Sequence, residues 1–340
     1  MKRYPWATGI AALFLLAAIV VLSRNKIHFD FRLFASQIAQ ADWRRIVLAT
    51  ACIYGGIVLR SIRWAWLLRH NRKVPLFPLV GAQTIGFAAV ALLGRVADLT
   101  RPYLVAKKTS LPVSMQVAVY VIERLCDAGV LALLFGSTIF FSNPGFLRKA
   151  AVVALLGALI GTAFVIALRI GGDAVPSFLV RFFAPFAETF AIGMGRKLRT
   201  FQAGLDAMRS LSDVAVVLFL SVCLWGMIAI AYFETTRAFV ADRQLSTLSF
   251  AQCVPLLAVS SGASFFQLPV VAWFSQIGIV AAGMSGIYHV PAAVSTAWSA
   301  ALLLVTFLSP LPAGLIWAQV EGISLRRVTE EASTQAKSSS

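Results

Sequence analysis

Glu123, Arg124 and Asp127 stand within five residues of one another inside an apolar run, Val113 to Phe141, that reads as a membrane span. A charge at the centre of a transmembrane helix costs roughly 2.5–3.5 kcal/mol on insertion scales, so three unpaired ones would cost about 8–10 kcal/mol. Such groups are kept where they pair with each other or face a polar cavity. On a helix Glu123 and Asp127 share a face, four residues apart, while Arg124 is rotated by roughly 100°. Arg124 is therefore expected to find its partner on another element or in an anionic ligand. The two acids can answer Arg95, Arg101, or Arg60 and Arg63 of an earlier apolar run. They can equally carry a proton relay, as intramembrane carboxylates do, or belong to an ion-pair network that only locks helices together.

A second charged cluster lies about thirty residues upstream, Gly94-Arg95-Val96-Ala97-Asp98-Leu99-Thr100-Arg101-Pro102, between two apolar runs. Arg95 and Arg101, with Lys107 and Lys108 downstream, could hold a lipid phosphate, because guanidinium groups bind phosphate in bidentate fashion. Asp98 is three residues from each arginine and can pair with either when no ligand is bound. The plainer alternative is a juxtamembrane basic loop that meets ordinary headgroups. Function is expected where the two clusters meet. Glu234 and Arg237, three apart near the end of another run, read as a structural intrahelical pair. Trp64, Trp66, Trp225, Trp273 and Trp298 read as interface-belt or packing residues rather than a ligand cage.

Composition says which elements must position these groups. The 340 residues are 59% hydrophobic and only 13% charged, which is the composition of a polytopic membrane protein. The net charge of +16 comes from 30 Lys and Arg against 14 Asp and Glu. Most basic residues flank apolar runs, so anionic lipid and topology setting, not nucleic acid, account for it. Cys52, Cys126, Cys223 and Cys253 are isolated, and His28, His70 and His289 are far apart, so neither a disulfide framework nor a metal site is expected. No phosphate-binding glycine loop and no nucleophile elbow occur, so the chain is not expected to hydrolyse ATP, and no cofactor is indicated.

Apolar runs fall at about 5–22, 45–68, 75–94, 113–142, 150–169, 213–240, 249–282 and 291–318. Each is long enough to enter a bilayer at about 20 residues per span. The first, behind Lys2 and Arg3, reads as a retained signal anchor. If all eight crossed fully, the segment 172–212, with Arg181, Arg196, Lys197, Arg199 and Arg209, would lie outside against the positive-inside rule. Treating 75–112 as a re-entrant hairpin removes the conflict, since charged or irregular backbone at membrane depth is tolerated where it lines protein or a wet cavity.

The C-terminal half repeats the design. Phe77-Pro78-Leu79-Val80 resembles Val254-Pro255-Leu256-Leu257, and Leu111-Pro112-Val113-Ser114 resembles Val290-Pro291-Ala292-Ala293. The stretch 249–286, interrupted by Ser260-Ser261-Gly262, Pro269, Gly278, Gly283 and Gly286, is expected to be a second, helix-poor hairpin entering from the opposite face. Two broken segments in corresponding positions of inverted halves point to a transport site at the midplane. From Arg196, apolar residues recur every three or four positions with basic ones between, a pattern for an amphipathic helix on the inner leaflet. The expectation is an all-α polytopic membrane protein with about six to eight membrane helices. Residues 1–320 form a single transmembrane domain, with the anchor at 5–22, the core at 45–318 and the cytoplasmic amphipathic segment at 172–212. The tail 321–340 is cytoplasmic.

The order Gly-Arg-x-(Gly/Ala)-(Glu/Asp)-x-x-Arg, a basic stretch, then Glu-Arg-x-x-Asp in the next span, resembles the flippase-like family that includes the transmembrane region of lysylphosphatidylglycerol synthases. The matching residues are Gly94-Arg95-Val96-Ala97-Asp98-Leu99-Thr100-Arg101 and Glu123-Arg124-Leu125-Cys126-Asp127, and the likeness extends over about 10–325. The family's second hairpin carries a Pro followed by a glycine-rich run, often with a Gln or Glu after it. Here Pro269 and Gln276 answer to that pattern, but Val270, Val271, Trp273 and Phe274 fill the glycine run. The aminoacyl-transfer domain that follows in the synthases is not in this sequence, so transport rather than synthesis is expected.

The resemblance implies movement of a lipid between leaflets of a bacterial inner membrane, with both termini cytoplasmic. Family members are associated with aminoacylated phospholipids, hopanoid-type lipids and archaeal glycosyl transfer, which leaves the substrate open. Arg95, Arg101 and Arg124 would bind a headgroup phosphate, while Asp98, Glu123 and Asp127 would compensate charge or carry a proton. Membrane lipids are the expected partners, together with a lipid-synthesising enzyme. The alternative is a membrane-embedded lipid- or glycan-modifying enzyme, or its non-catalytic subunit, with Glu123 or Asp127 as base. No metal set or activated nucleophile accompanies those acids.

Overall fold

The computed structural model describes residues 30–138, 171–185, 187–205, 210–263, 271–325 and 327–331, with scattered positions between 149 and 163. The anchor at 5–22, most of the run at 150–169, Pro269, the side chain of Arg95 and the tail from 332 onward lie outside the described residues. Every regular element among the described residues is helical. In order they are α1 (Phe31–Ala39), α2 (Trp43–Leu68), α3 (Leu76–Leu93), a 3-10 turn (Gly94–Leu99), α4 (Thr100–Thr109), α5 (Val113–Thr138), α6 (Ala174–Phe183), α7 (Glu188–Leu205), α8 (Leu211–Arg237), α9 (Phe250–Ala263), α10 (Val271–Tyr288), α11 (Ala292–Leu303) and α12 (Pro310–Val320).

Among the described residues four stretches are long and apolar enough to cross a membrane: Trp43–Leu68, Leu76–Leu93, Ser212–Arg237 and Ala292–Val320. With α5 at 26 residues, whose every 18-residue window contains Glu123, Arg124 and Asp127, the helices make a multi-pass membrane protein. Leu76–Leu93 is one unbroken helix, so the arm read as part of a re-entrant hairpin is by itself of spanning length.

The chain forms two compact units: Met1–Ile53, Val90–Arg95 and Ala229–Ser309 in one; Tyr54–Ala89, Val96–Ile228 and Pro310–Ser340 in the other. In the second unit α4 folds back along α3. Gly86 lies against the stem of Arg101, and the Lys108 ammonium reaches the Pro78 carbonyl at 3.2 Å, which pairs the two helices antiparallel around the 3-10 turn. Gly86 is needed there, because a Cβ would collide with Arg101. Gly314 of α12 permits an even closer approach, since a Cβ would stand 2.6 Å from the Thr84 carbonyl oxygen of α3. Trp64, Leu67, Leu79, Ile85, Leu104, Val119, Ile122 and Val217 form the apolar core around these helices. α6 and α7 pack as a pair, and α7 lies on α5.

The other unit holds the second hairpin, and it is not helix-poor. α9 and α10 run as two helical arms, paired antiparallel through Val259 with Gly283, Ser260 with Gln276, and the Gln252 carbonyl with the Tyr288 hydroxyl. Gly283 does not interrupt α10; it admits Val259, whose side chain would lie 2.7 Å from a Cβ there. The intrahelical Glu234–Arg237 pair does not form either. Glu234 takes Arg45 of α2 at 2.7 Å, and Arg237 donates to the Ser246 carbonyl while lying over the Phe233 ring. α2 enters this unit at its N-terminal end, which brings Arg45 within reach of the Glu234 carboxylate.

Candidate functional site

α2 carries Arg60, Arg63 and Trp64 within little more than one turn, so the three project from adjoining parts of one face. α5 offers Glu123 and Asp127 four residues apart. The two faces meet in the second unit as a buried ion cluster. Arg60 Nη1 donates to Glu123 Oε1 at 2.5 Å and lies 3.8 Å from Asp127 Oδ2. Arg63 sets a fork on Asp127, Nη1 to Oδ1 at 2.6 Å and Nη2 to Oδ2 at 3.4 Å, and its Nη2 also reaches Glu123 Oε1 at 3.1 Å. Of the candidate partners whose side chains are described, the arginines of α2 are the ones that answer the two acids.

Two further side chains complete the shell, and the sequence had not marked either as part of a site. Trp64, fully buried, donates its indole N–H to Glu123 Oε2. Ser221 of α8 accepts from Arg63 Nη1 at 2.5 Å and donates its own proton to the Val217 carbonyl at 2.8 Å. Trp64 was classed with packing residues, although its place four residues after Arg60 on one helical face was a usable signal. Ser221 is a lone hydroxyl in an apolar helix, and nothing in the pattern around it distinguishes it.

Arg124 corrects the expectation drawn from helical geometry. It needs no distant partner, because its long side chain curls along α5 to place Nη2 2.5 Å from Glu123 Oε1 and 3.0 Å from Asp127 Oδ2. It is also the accessible member: its side chain is 39% exposed, against 0% for Arg63 and 1% for Glu123. Three guanidinium groups thus face two carboxylates, leaving one positive charge in excess. The Nε atoms of Arg60, Arg63 and Arg124 are buried with no hydrogen-bond partner among the described residues.

Arg101 adjoins the cluster. Its guanidinium lies 4.0 Å from the centroid of the Phe87 ring, and that of Arg60 lies 5.5 Å from the same centroid. A cation held over an aromatic face is stabilised by the ring quadrupole but keeps its charge unneutralised. Arg101 is buried and forms no ion pair among the described residues, and its Nε has no partner. Asp98 forms no direct ion pair with Arg101 among the described residues, but its carboxylate is the strongest favourable charge acting on that guanidinium. Arg95 stands in the same turn, with its side chain outside the described residues.

Gln276 belongs to the first unit, where its amide nitrogen donates to Ser260 Oγ at 3.1 Å, and Pro269 lies outside the described residues. Among the described residues no group of three His, Cys, Asp or Glu could hold a metal ion.

A cluster so buried has two faces energetically. Taking two charges out of water is costly, and removing one partner of such a pair strands the other at a cost of about 3–5 kcal/mol. The family model described as Lysylphosphatidylglycerol synthase TM region matches residues 7–314, and the chain belongs to that family. Membership makes it a membrane protein related to lipid modification or transport. No curated protein and no solved structure matches the chain significantly.

Proposed function

We propose that the protein moves a phospholipid or related anionic amphiphile between the leaflets of a bacterial inner membrane. The observation that carries this reading is the arginine excess on α2 and α5, with Arg124 alone partly exposed and the buried Arg101 beside it without a direct ion pair among the described residues. A headgroup phosphate arriving at Arg124 competes with Glu123 and Asp127 for the guanidinium, and bidentate pairing makes it a strong competitor. The displaced carboxylates keep Arg60 and Arg63, so the cluster rearranges around the ligand without stranding a charge.

In this reading the helical hairpins α3–α4 and α9–α10 are re-entrant elements of two inverted halves, and both termini are cytoplasmic. The antiparallel pairing within each hairpin supports that arrangement. A lipid-synthesising enzyme is the fitting partner, supplying the amphiphile on the cytoplasmic side. The test is leaflet redistribution of a labelled anionic phospholipid in proteoliposomes, with wild type beside Arg124→Ala. Movement that the substitution abolishes is the expected result. Normal movement by the variant would sink the reading.

A further inference from the structure

A cavity of about 350 Å³ opens between α4 and the segment that follows α12, with Leu104, Lys107, Lys108, Glu321, Arg327 and Glu331 among its lining. Gly322, at φ +64°, turns the chain back after α12. Val328 then joins Leu104 in the apolar core, which gives the cavity an apolar floor beneath a charged rim. None of these residues belongs to a stretch of spanning length, and Lys107 and Arg327 are exposed. The cavity lies within the second unit and shares no residue with the ion cluster of α2 and α5.

The charged groups of the rim are unequally engaged. Each carboxylate already takes two donors: Glu321 accepts from Lys108 at 2.6 Å and from the Trp317 indole at 3.0 Å, and Glu331 accepts from Tyr103 and from Arg327 at 2.9 Å each. The cations are not used up. Arg327 spends its Nε on Glu331, and its two terminal nitrogens make no hydrogen bond among the described residues. Lys107 makes neither a hydrogen bond nor an ion pair among them, yet its charge acts on Glu331, so both spare cations surround one carboxylate. Arg72 adds positive charge at this end of α4, donating to the Thr109 carbonyl at 2.7 Å. Spare cationic donors beside satisfied acceptors select an anion, and the paired nitrogens of a guanidinium match phosphate oxygens. The volume lies at the lower end of the range for small-molecule pockets, which suits one compact phosphate ester. We infer that this cavity is a second anion site, taking a phosphate group, of a lipid headgroup or of a water-soluble ester, between Lys107 and the terminal nitrogens of Arg327. On α4, Arg101, Leu104 and Lys108 follow in steps of three and four, so an anion held here fastens the segment after α12 to the helix that positions Arg101.

The test is limited tryptic cleavage within residues 323–331 of the full chain in detergent, at fixed ionic strength, with inorganic phosphate, glycerol 3-phosphate or short-chain phosphatidic acid added. Bound anion should slow cleavage severalfold in wild type. Lys107→Gln changes an exposed residue that no described bond holds, so the fold should persist. It should raise the half-protecting concentration about tenfold, as loss of one charged hydrogen bond allows. Arg124→Ala should leave that concentration unchanged, because the anion does not act through the ion cluster. Protection by the soluble anions assigns the site to a free phosphate, and protection by phosphatidic acid alone assigns it to a lipid headgroup. No protection by any of the three, protection that Lys107→Gln retains in full, or protection that Arg124→Ala removes would overturn the site. Lipid movement in proteoliposomes plays no part in this readout, so a failure there touches only the transport reading.

Discussion

Arg63 and Asp127 meet in a fork, with Nη1 to Oδ1 at 2.6 Å and Nη2 to Oδ2 at 3.4 Å, and both side chains are closed off from the surface. The pair joins α2 to α5 where burial would make either charge alone costly. Replacing Arg63 with Leu should destabilise the protein by about 3–5 kcal/mol, because it strands Asp127. The double variant Arg63→Leu, Asp127→Leu should recover much of that loss. Unfolding in mixed detergent micelles checks this, and additive losses would show that the two groups do not act as a pair.

Arg124 should behave differently from Arg63 although it touches the same carboxylates. Its side chain is 39% exposed, so removal lets water and the remaining arginines compensate. Arg124→Ala should shift stability by no more than about 1 kcal/mol while abolishing lipid movement. Arg124→Lys keeps the charge but loses the fork and should restore movement only in part. Unfolding and transport measured on the same preparations would separate the two effects.

Gly86 provides the space in which the stem of Arg101 lies. Gly86→Ala should displace Arg101 from the Phe87 ring and weaken anion binding severalfold, with a small stability change because the displaced group is a flexible chain. Gly314→Ala is the contrasting case. Its Cβ would meet the Thr84 backbone, which cannot step aside, so α12 must shift at a cost of about 1–3 kcal/mol. Thermal unfolding and anion titration of both variants should give opposite patterns of loss.

The chain is helical again over 327–331, after Gly322, whose φ of +64° ends α12, and this segment is fastened to α4. Tyr103 Oη and Arg327 Nε each donate to the Glu331 carboxylate at 2.9 Å, and these bonds hold its pKa below the usual carboxylate value. A depressed carboxylate pKa means that the stabilisation is present above the unfolded pKa and is lost as pH falls through the folded one. Proteolysis after Arg327 should therefore be slow near neutrality and accelerate below about pH 4, the ordinary range of a glutamate. Tyr103→Phe should raise the pH at which it does. Cleavage independent of pH would show that these bonds do not hold the segment.

What could be read from the sequence was what a physical penalty enforced. Three charges in an apolar run require partners, and Arg60 and Arg63 were among the few cations able to provide them. The same reasoning failed for Arg124, since a helical wheel places the Cα and a long flexible side chain can still curl back to Asp127. Glu234 failed for a related reason: proximity in sequence to Arg237 lost to proximity in space to Arg45. Glycines in an apolar run look alike whether they break a helix or admit a neighbour, and Gly283 of 249–286 serves close packing within a helical hairpin. Trp64 and Ser221 were hidden because an indole and a hydroxyl in apolar helices look alike whether they pack or hydrogen-bond.

The measurement that bears most directly on the account is the rate at which a labelled anionic phospholipid changes leaflet in proteoliposomes, for wild type, Arg124→Ala and Arg101→Ala side by side. The account predicts movement with wild type and loss in both variants, with the purified variants still folded. Unchanged movement in the two variants would contradict it, because the arginine excess would then have no part in carrying the lipid.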